Sequence, residues 1–268
     1  MFTKLLKHEW RAIRGVLGLI CLICLSAALL GGGSMRYLVW ASTQSETMNL
    51  PTVLCVLAMV MSFVAIAVCC VAQLFFQLWR FYKSCFTDEG YLTFTLPVTT
   101  HEILLSSLVN TLLNLLLLTV MVLASGLILL LIGISAEQIA WEELRQALPQ
   151  IREALAKVFT VPVLKIMGTI AAAGISGIVW EVICLMLAIT LGALAAKKHK
   201  ILAAVGFFYG IQMALGIVQT GTMLSAVVES GESAFFTAML RPTVMHLVLA
   251  AAGYFLMWYL TDRKLNLP

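Results

Sequence analysis

The chain has 268 residues, 62% of them hydrophobic and only 11% charged, with a mean hydropathy of +1.01. A water-soluble domain charges about a quarter of its residues, so one water-solvated core is excluded. The formal charge of +4 is no nucleic-acid signal, because its lysines and arginines flank apolar runs instead of gathering in a patch.

Those runs reach the roughly 20 residues that carry a helix across the ~30 Å hydrocarbon layer. The short alternating segments of a membrane barrel are absent, so the expected class is an all-α membrane protein. The cysteine count of seven is odd, and six of the seven (Cys21, Cys24, Cys55, Cys69, Cys70 and Cys184) lie inside apolar runs. Cys21-x-x-Cys24 has a metal-like spacing, but nothing polar nearby completes a site. No metal is expected.

Residues 1–14 read as a basic amphipathic helix. Phe2, Leu5, Leu6, Trp10 and Ile13 share one face, and Lys4, Lys7, His8, Arg11 and Arg14 fill the other. Such a helix lies in the membrane interface among anionic headgroups, or serves simply as the positive flank of the first span. Span one is expected over 15–33 and is retained, not cleaved as a signal. A polar loop over 34–49 leads to span two, 50–78.

Between spans two and three lies a polar stretch, 80–100, more elaborate than a hairpin needs. It carries two basic residues, an Asp88-Glu89-Gly90 turn, and an aromatic-aliphatic segment closed by Pro97. Thr99 and Glu102 have the spacing of a capping box, which predicts the start of span three. That span runs to about residue 132. An amphipathic helix is expected over 135–159, with Leu144, Leu148, Ile151, Leu155 and Val158 on one face and a bend or restart at Pro149.

Span four is expected over 163–196 and span five over 201–224. Two apolar pieces, 223–228 and 234–240, are each too short to cross and flank a polar turn; they read as a broken external segment that dips in and returns. Span six covers 241–260. Domain 15–268 is therefore a six-helix membrane domain behind the interfacial helix 1–14. With the N-terminus inside, eleven of the 17 basic residues fall on the cytoplasmic side, namely Lys4, Lys7, Arg11, Arg14, Arg80, Lys83, Lys197, Lys198, Lys200, Arg263 and Lys264. The positive-inside rule thus places both termini and the stretch 80–100 in the cytoplasm.

Few polar residues interrupt the spans. Glu181 stands midway along span four, where an ionised carboxylate is expensive unless paired or wetted. Gln73 and Gln77 are one turn apart on span two. Ser107, Asn110 and Asn114 share a face of span three, and Gln212 and Gln219 share a face of span five. They form either a seam along a translocation path or hydrogen-bonding glue between helices. Glue is the favoured reading for the amides, and function for Glu181.

Gly174-Ile175-Ser176-Gly177 matches the G-x-S-G of rhomboid intramembrane proteases, with His246 on span six as the candidate base. Counted from the expected span starts, Ser176 lies roughly 20 Å deep and His246 roughly 8 Å. The ~12 Å between them opposes a dyad that must meet at hydrogen-bond distance. No H-E-x-x-H and no P-loop occur, so the chain has no nucleotide site of its own.

The stretch FTDEGYLTFTLPVTTHEILLSSLV resembles the segment between spans two and three of ABC-2 type permeases, the membrane subunits of bacterial ABC exporters. It is most similar to the small Gram-positive-type permeases that carry a D-E-G-Y-L-x-F-x-L-P-V run. Ser107 departs from the lysine found in many of them. The resemblance implies a plasma-membrane permease, not itself an enzyme, that pairs with a second permease chain and two separate ATPase subunits, which hold the ATP and Mg. It also implies that the 80–100 loop supplies a coupling helix seated in the ATPase. Phe86, Asp88, Glu89, Gly90, Tyr91, Leu92, Phe94 and Pro97 are then the contact set. Glu181, Gln73, Gln77, Asn110, Asn114 and Gln212 are the span residues that are candidates to line a translocation path, and the scarcity of such residues favours a peptide, lipid-like or drug-like cargo. The alternatives are the rhomboid-like protease on Ser176 and His246, and a membrane scaffold without transport.

Overall fold

A computed structural model describes residues 2–43, 49–95, 97–134, 145–150, 152–153, 161–196, 198–228 and 232–264. Among these there is no strand. The main helices are α1 (Phe2–Thr43), α2 (Leu50–Phe86), α3 (Asp88–Phe94), α4 (Thr100–Ile134), α5 (Val161–Ala195), α6 (Lys200–Val228) and α7 (Glu232–Lys264). All but α3 are long and apolar enough to cross a membrane, giving six candidate spans. Continuous helix is what an apolar chain must adopt in lipid, because only the helix satisfies every backbone N–H and C=O within its own segment. The chain reads as a multi-pass membrane protein.

The chain forms two compact units: Met1–Leu6, Leu78–Leu112 and Val158–Pro268 in one, Lys7–Gln77 and Leu113–Lys157 in the other. In the second unit, Ile20 and Cys24 of α1, Cys69 of α2 and Leu118 of α4 form a buried cluster, with Val16, Cys70 and Val122 packed against it. Cys24 and Cys69 are thus packed in one buried cluster. A membrane-permeant thiol oxidant such as diamide is therefore expected to join them in an intramolecular disulfide, read as one cross-linked peptide by mass spectrometry. Failure of the Cys24–Cys69 peptide to appear, with other cysteine pairs forming instead, counts against this α1–α2 contact.

Helix α1 is longer than its sequence suggests. Its 42 residues run without a break through Arg14, through Gly31-Gly32-Gly33 and through most of the expected 34–49 loop. The glycines permit close packing rather than ending the helix: a Cβ on Gly31 would sit 3.0 Å from Ser62, and one on Gly32 3.0 Å from Ile132. Ser34 and Ser42 donate their hydroxyls to Leu30 and Val39 carbonyls of their own helix, which removes the polar reason for a loop. At the other end the amphipathic pattern is as expected, with Lys4, Lys7, His8, Arg11 and Arg14 exposed and Ile13 fully buried.

The broken segment over 223–240 is also different. Residues 223–228 are the last turns of α6, a helix of 29 residues, and 234–240 belong to the opening turns of α7, 33 residues long with Pro242 inside it. Apolar pieces too short to cross alone are here extensions of helices that cross. The expected helix over 135–159 lies largely outside the described residues, of which 145–150 and 152–153 are helical.

In the first unit α5 packs against both α6 and α7. Trp180, Ile183 and Leu187 of α5 close around Gly253 of α7, where a Cβ would meet Ile183 at 3.2 Å. Near the α5–α6 turn the two backbones touch at Gly192, where a Cβ would stand 2.6 Å from the Cα of Ala204 and 2.7 Å from its Cβ. Backbone cannot yield as a flexible side chain can, so Gly192→Ala must spread the two helices. Overpacking of this kind costs about 1–3 kcal/mol. The expected result is a lower unfolding midpoint in detergent than for the control Gly206→Ala, whose Cβ would meet nothing; equal midpoints would refute the contact.

Candidate functional site

The stretch 80–100 is a built corner. Helix α2 carries on past the expected end of span two to Phe86, its 37 residues covering about 55 Å at the helical rise. Thr87 then breaks it with an extended backbone and donates its hydroxyl back to the Lys83 carbonyl at 2.6 Å. The Asp88-Glu89-Gly90 turn of the sequence reading is instead the start of α3. Asp88 and Glu89 open its first turn, where the Glu89 carboxylate suits the exposed N–H groups and the helix dipole.

Three contacts hold α3 to the end of α2. Glu89 pairs with Lys83 at 2.6 Å, although both are half exposed and such a pair adds little alone. The Gly90 N–H donates to the Thr87 carbonyl at 2.8 Å. Most restrictive, Gly90 is buried so close to the preceding helix that a Cβ would lie 2.6 Å from the Cys85 carbonyl oxygen. Behind this junction Phe86 is buried, edge-on to Phe81 at 5.9 Å and stacked with Tyr82 at 6.4 Å between ring centroids.

The far side of the corner is pinned as well. The capping box forms as the spacing predicts: Thr99 N donates to Glu102 Oε2, and Glu102 N to Thr99 Oγ1, both at 3.3 Å. One turn on, Thr100 Oγ1 donates to Asp262 Oδ1 at 3.0 Å. His101 stands edge-on to Tyr254, whose hydroxyl lies 2.7 Å from its Nδ1. The start of α4 is thereby tied to the last turns of α7. No sequence signal joins residues about 150 positions apart, and His101, Tyr254 and Asp262 were not site candidates.

The eight contact candidates divide by exposure. Tyr91 is 62% exposed, and Glu89 and Pro97 also face outward. Phe94 is half-buried, while Phe86 and Gly90 are buried. The last two therefore shape the corner instead of presenting a surface. Aromatic character marked Phe86 as a contact anchor, but its ring is consumed by Phe81 and Tyr82. The side chains of Asp88 and Leu92 lie outside the described residues.

Of the path candidates, Glu181 and Gln212 are brought together: Gln212 Nε2 donates to Glu181 Oε2 at 2.5 Å. Two turns along α6, Gln219 Nε2 lies 2.8 Å from His246 Nε2. The two amides of α6 thus reach α5 and α7 respectively, as interhelical glue would. Asn110, Glu181 and Gln212 belong to one unit, and Gln73, Gln77 and Asn114 to the other. Gln73 and Asn114 are fully buried. The Gln73 amide has no partner on either its nitrogen or its oxygen among the described residues, so the glue reading does not describe it. Leaving one such atom unsatisfied costs about 1–3 kcal/mol.

The depth argument against Ser176 and His246 fails. A Cβ on Gly177 would lie 3.8 Å from His246 Nδ1, placing the imidazole beside the G-x-S-G turn. The gap of ~12 Å arose from starting span six at residue 241, whereas α7 begins at Glu232, which lowers His246 by about 13 Å. Hydrogen bonding nonetheless keeps the pair apart chemically. Ser176 is buried and donates its hydroxyl to the Ala173 carbonyl of its own helix at 3.0 Å, while Gln219 occupies His246 Nε2. A Ser nucleophile needs its proton directed at a base, and here it is directed at backbone.

Among the described residues no group of three or more His, Cys, Asp or Glu side chains is placed to hold a metal. No family model, no curated protein and no solved structure matches the chain.

Proposed function

We propose that this chain is the permease subunit of an ATP-driven ABC exporter of the plasma membrane, working with a second permease chain and with separate ATPase subunits that bind ATP and Mg. The observation that carries this reading is the corner 80–100. It presents an exposed tyrosine on a short helix, α3, which is held to α2 by the Gly90–Cys85 contact. Beyond α3, the start of α4 is held by the capping box. A loop needed only to connect spans has no use for that rigidity.

A short helix is also what the resemblance to ABC-2 permeases calls for between spans two and three. In this reading Tyr91 and its neighbours seat in an ATPase cleft on the cytoplasmic side. Aromatic residues with a charged rim suit such docking. Closure of the ATPases then pushes on α3, and the stiff junctions pass the displacement to α2, α4 and, through Thr100–Asp262 and His101–Tyr254, to α7. The push biases the spans between two packings, as a ligand biases a two-state element.

The test is co-purification. The full chain, solubilised from its native membrane, is expected to bring a P-loop ATPase down in stable association. A chain that recovers no ATPase under conditions preserving its fold refutes the exporter reading and leaves the membrane scaffold.

A further inference from the structure

Glu181 lies 20 residues from the start of α5 and 14 from its end, roughly 30 Å and 21 Å along the helix axis. It is the one carboxylate deep within a described span. Gln212 donates a single hydrogen bond to it, and it forms no ion pair among the described residues. A second copy of this chain has no cation to offer at that depth. The sequence contains no Lys or Arg over 166–196, 201–240 or 242–262, nor over 15–35, 37–79 or 103–144.

A neutral amide does not balance a carboxylate in hydrocarbon. Either a proton or a positive group from outside the chain must cancel that charge. One turn away on α5, beside Gly177, stands a second unmet polar demand: His246 Nδ1 is buried and has no partner among the described residues. With Gln219 donating to Nε2, Nδ1 carries the ring proton and offers it to an acceptor. Glu181 remains partly accessible, so a ligand can approach from the bilayer. On these grounds we infer that Glu181, Gln212 and His246 form a mid-membrane site for the ammonium group of an amphipathic cation. The carboxylate and the Gln212 amide oxygen receive its N–H groups, the His246 Nδ1–H meets an adjacent polar atom, and the apolar tail lies along the spans. The inference rests on the exporter reading insofar as it names the class of cargo.

The test measures displaceable binding of radiolabelled dodecylammonium to the full chain in nanodiscs of zwitterionic lipid, with neutral dodecanol as the competitor control. Saturable binding is expected that dodecanol does not displace and that weakens at least tenfold in Glu181→Gln. That variant keeps the shape and the hydrogen bond to Gln212; Glu181→Asp, which retains the charge, is expected to keep part of the binding. Equal binding by wild type and Glu181→Gln overturns the proposal. So does an infrared carboxylic-acid band assigned to Glu181 that persists at saturating dodecylammonium, because a proton alone then balances the charge. The measurement needs no ATPase. Binding without ATPase association sinks the exporter reading but keeps the site, and ATPase association without binding does the reverse.

Discussion

Tyr91→Ala is expected to release the partner ATPase while leaving the permease folded and inserted. Tyr91 is the most exposed aromatic side chain of the corner, at 62%, and its side chain makes no hydrogen bond or ring contact among the described residues, so its removal leaves no cavity. Central aromatic anchors of interfaces commonly account for about 2 kcal/mol or more when truncated, equivalent to roughly thirtyfold in affinity. Pull-down of the ATPase with the variant, normalised to permease recovered in the membrane fraction, reads the effect. Extending the change to Leu92→Ala is expected to abolish association. Normal recovery of the ATPase by the double variant would show that α3 is not the docking element.

Gly90→Ala is expected to do comparable damage by another route. Its Cβ would lie 2.6 Å from the Cys85 carbonyl oxygen and 2.9 Å from the carbonyl carbon. Both are backbone atoms at the end of a long helix, so the junction itself must move and α3 must tilt or detach. The Lys83–Glu89 pair and the Gly90–Thr87 hydrogen bond then lose their geometry together. The overpacking cost is about 1–3 kcal/mol, enough to displace a seven-residue helix that has little stability of its own. The outcome to measure is retained expression and span insertion with at least tenfold weaker ATPase recovery or ATP-driven transport. Gly126→Ala, at a glycine where a Cβ meets nothing within 4 Å, controls for the loss of glycine as such. If Gly90→Ala couples as well as wild type, rigid seating of α3 is not how motion enters the spans.

The two variants separate surface from geometry. Tyr91→Ala removes a contact but leaves the helix in place; Gly90→Ala leaves the tyrosine but moves its platform. Loss with the first and not the second would point to a flexible tether that finds its partner by the tyrosine alone.

Much of this architecture follows from local chemistry and is readable along the chain. Hydrocarbon forces backbone groups to pair within each apolar run, so composition and run length were enough for six helices. The amphipathic face of residues 2–14 and the Thr99–Glu102 capping box are likewise short-range patterns, and both appear as their spacing implies. Interruptions were harder to read. Gly31-Gly32 has the composition of a helix end, and only the approach of Ser62 and Ile132 shows it to be a packing face. The polar turn around 229–232 made its apolar flanks look like separate short pieces, although the helical hydrogen bonding of α6 and α7 runs through those flanks.

The site depended still more on tertiary structure. A motif can propose that DEGYL meets a partner, but exposure decides which of its residues do. Phe86 and Gly90 turn inward because Phe81, Tyr82 and the Cys85 carbonyl lie behind them. The ties from Thr100 to Asp262 and from His101 to Tyr254 join residues with no sequence relation, and so does the placement of His246 beside Gly177. Glu181 was conspicuous from sequence as a buried charge. That the neutral amide of Gln212 donates to it, with no ion pair among the described residues, is a fact of how α5 and α6 pack. Charge in a low-dielectric interior is governed by its neighbours in space, and those neighbours are what a linear reading lacks.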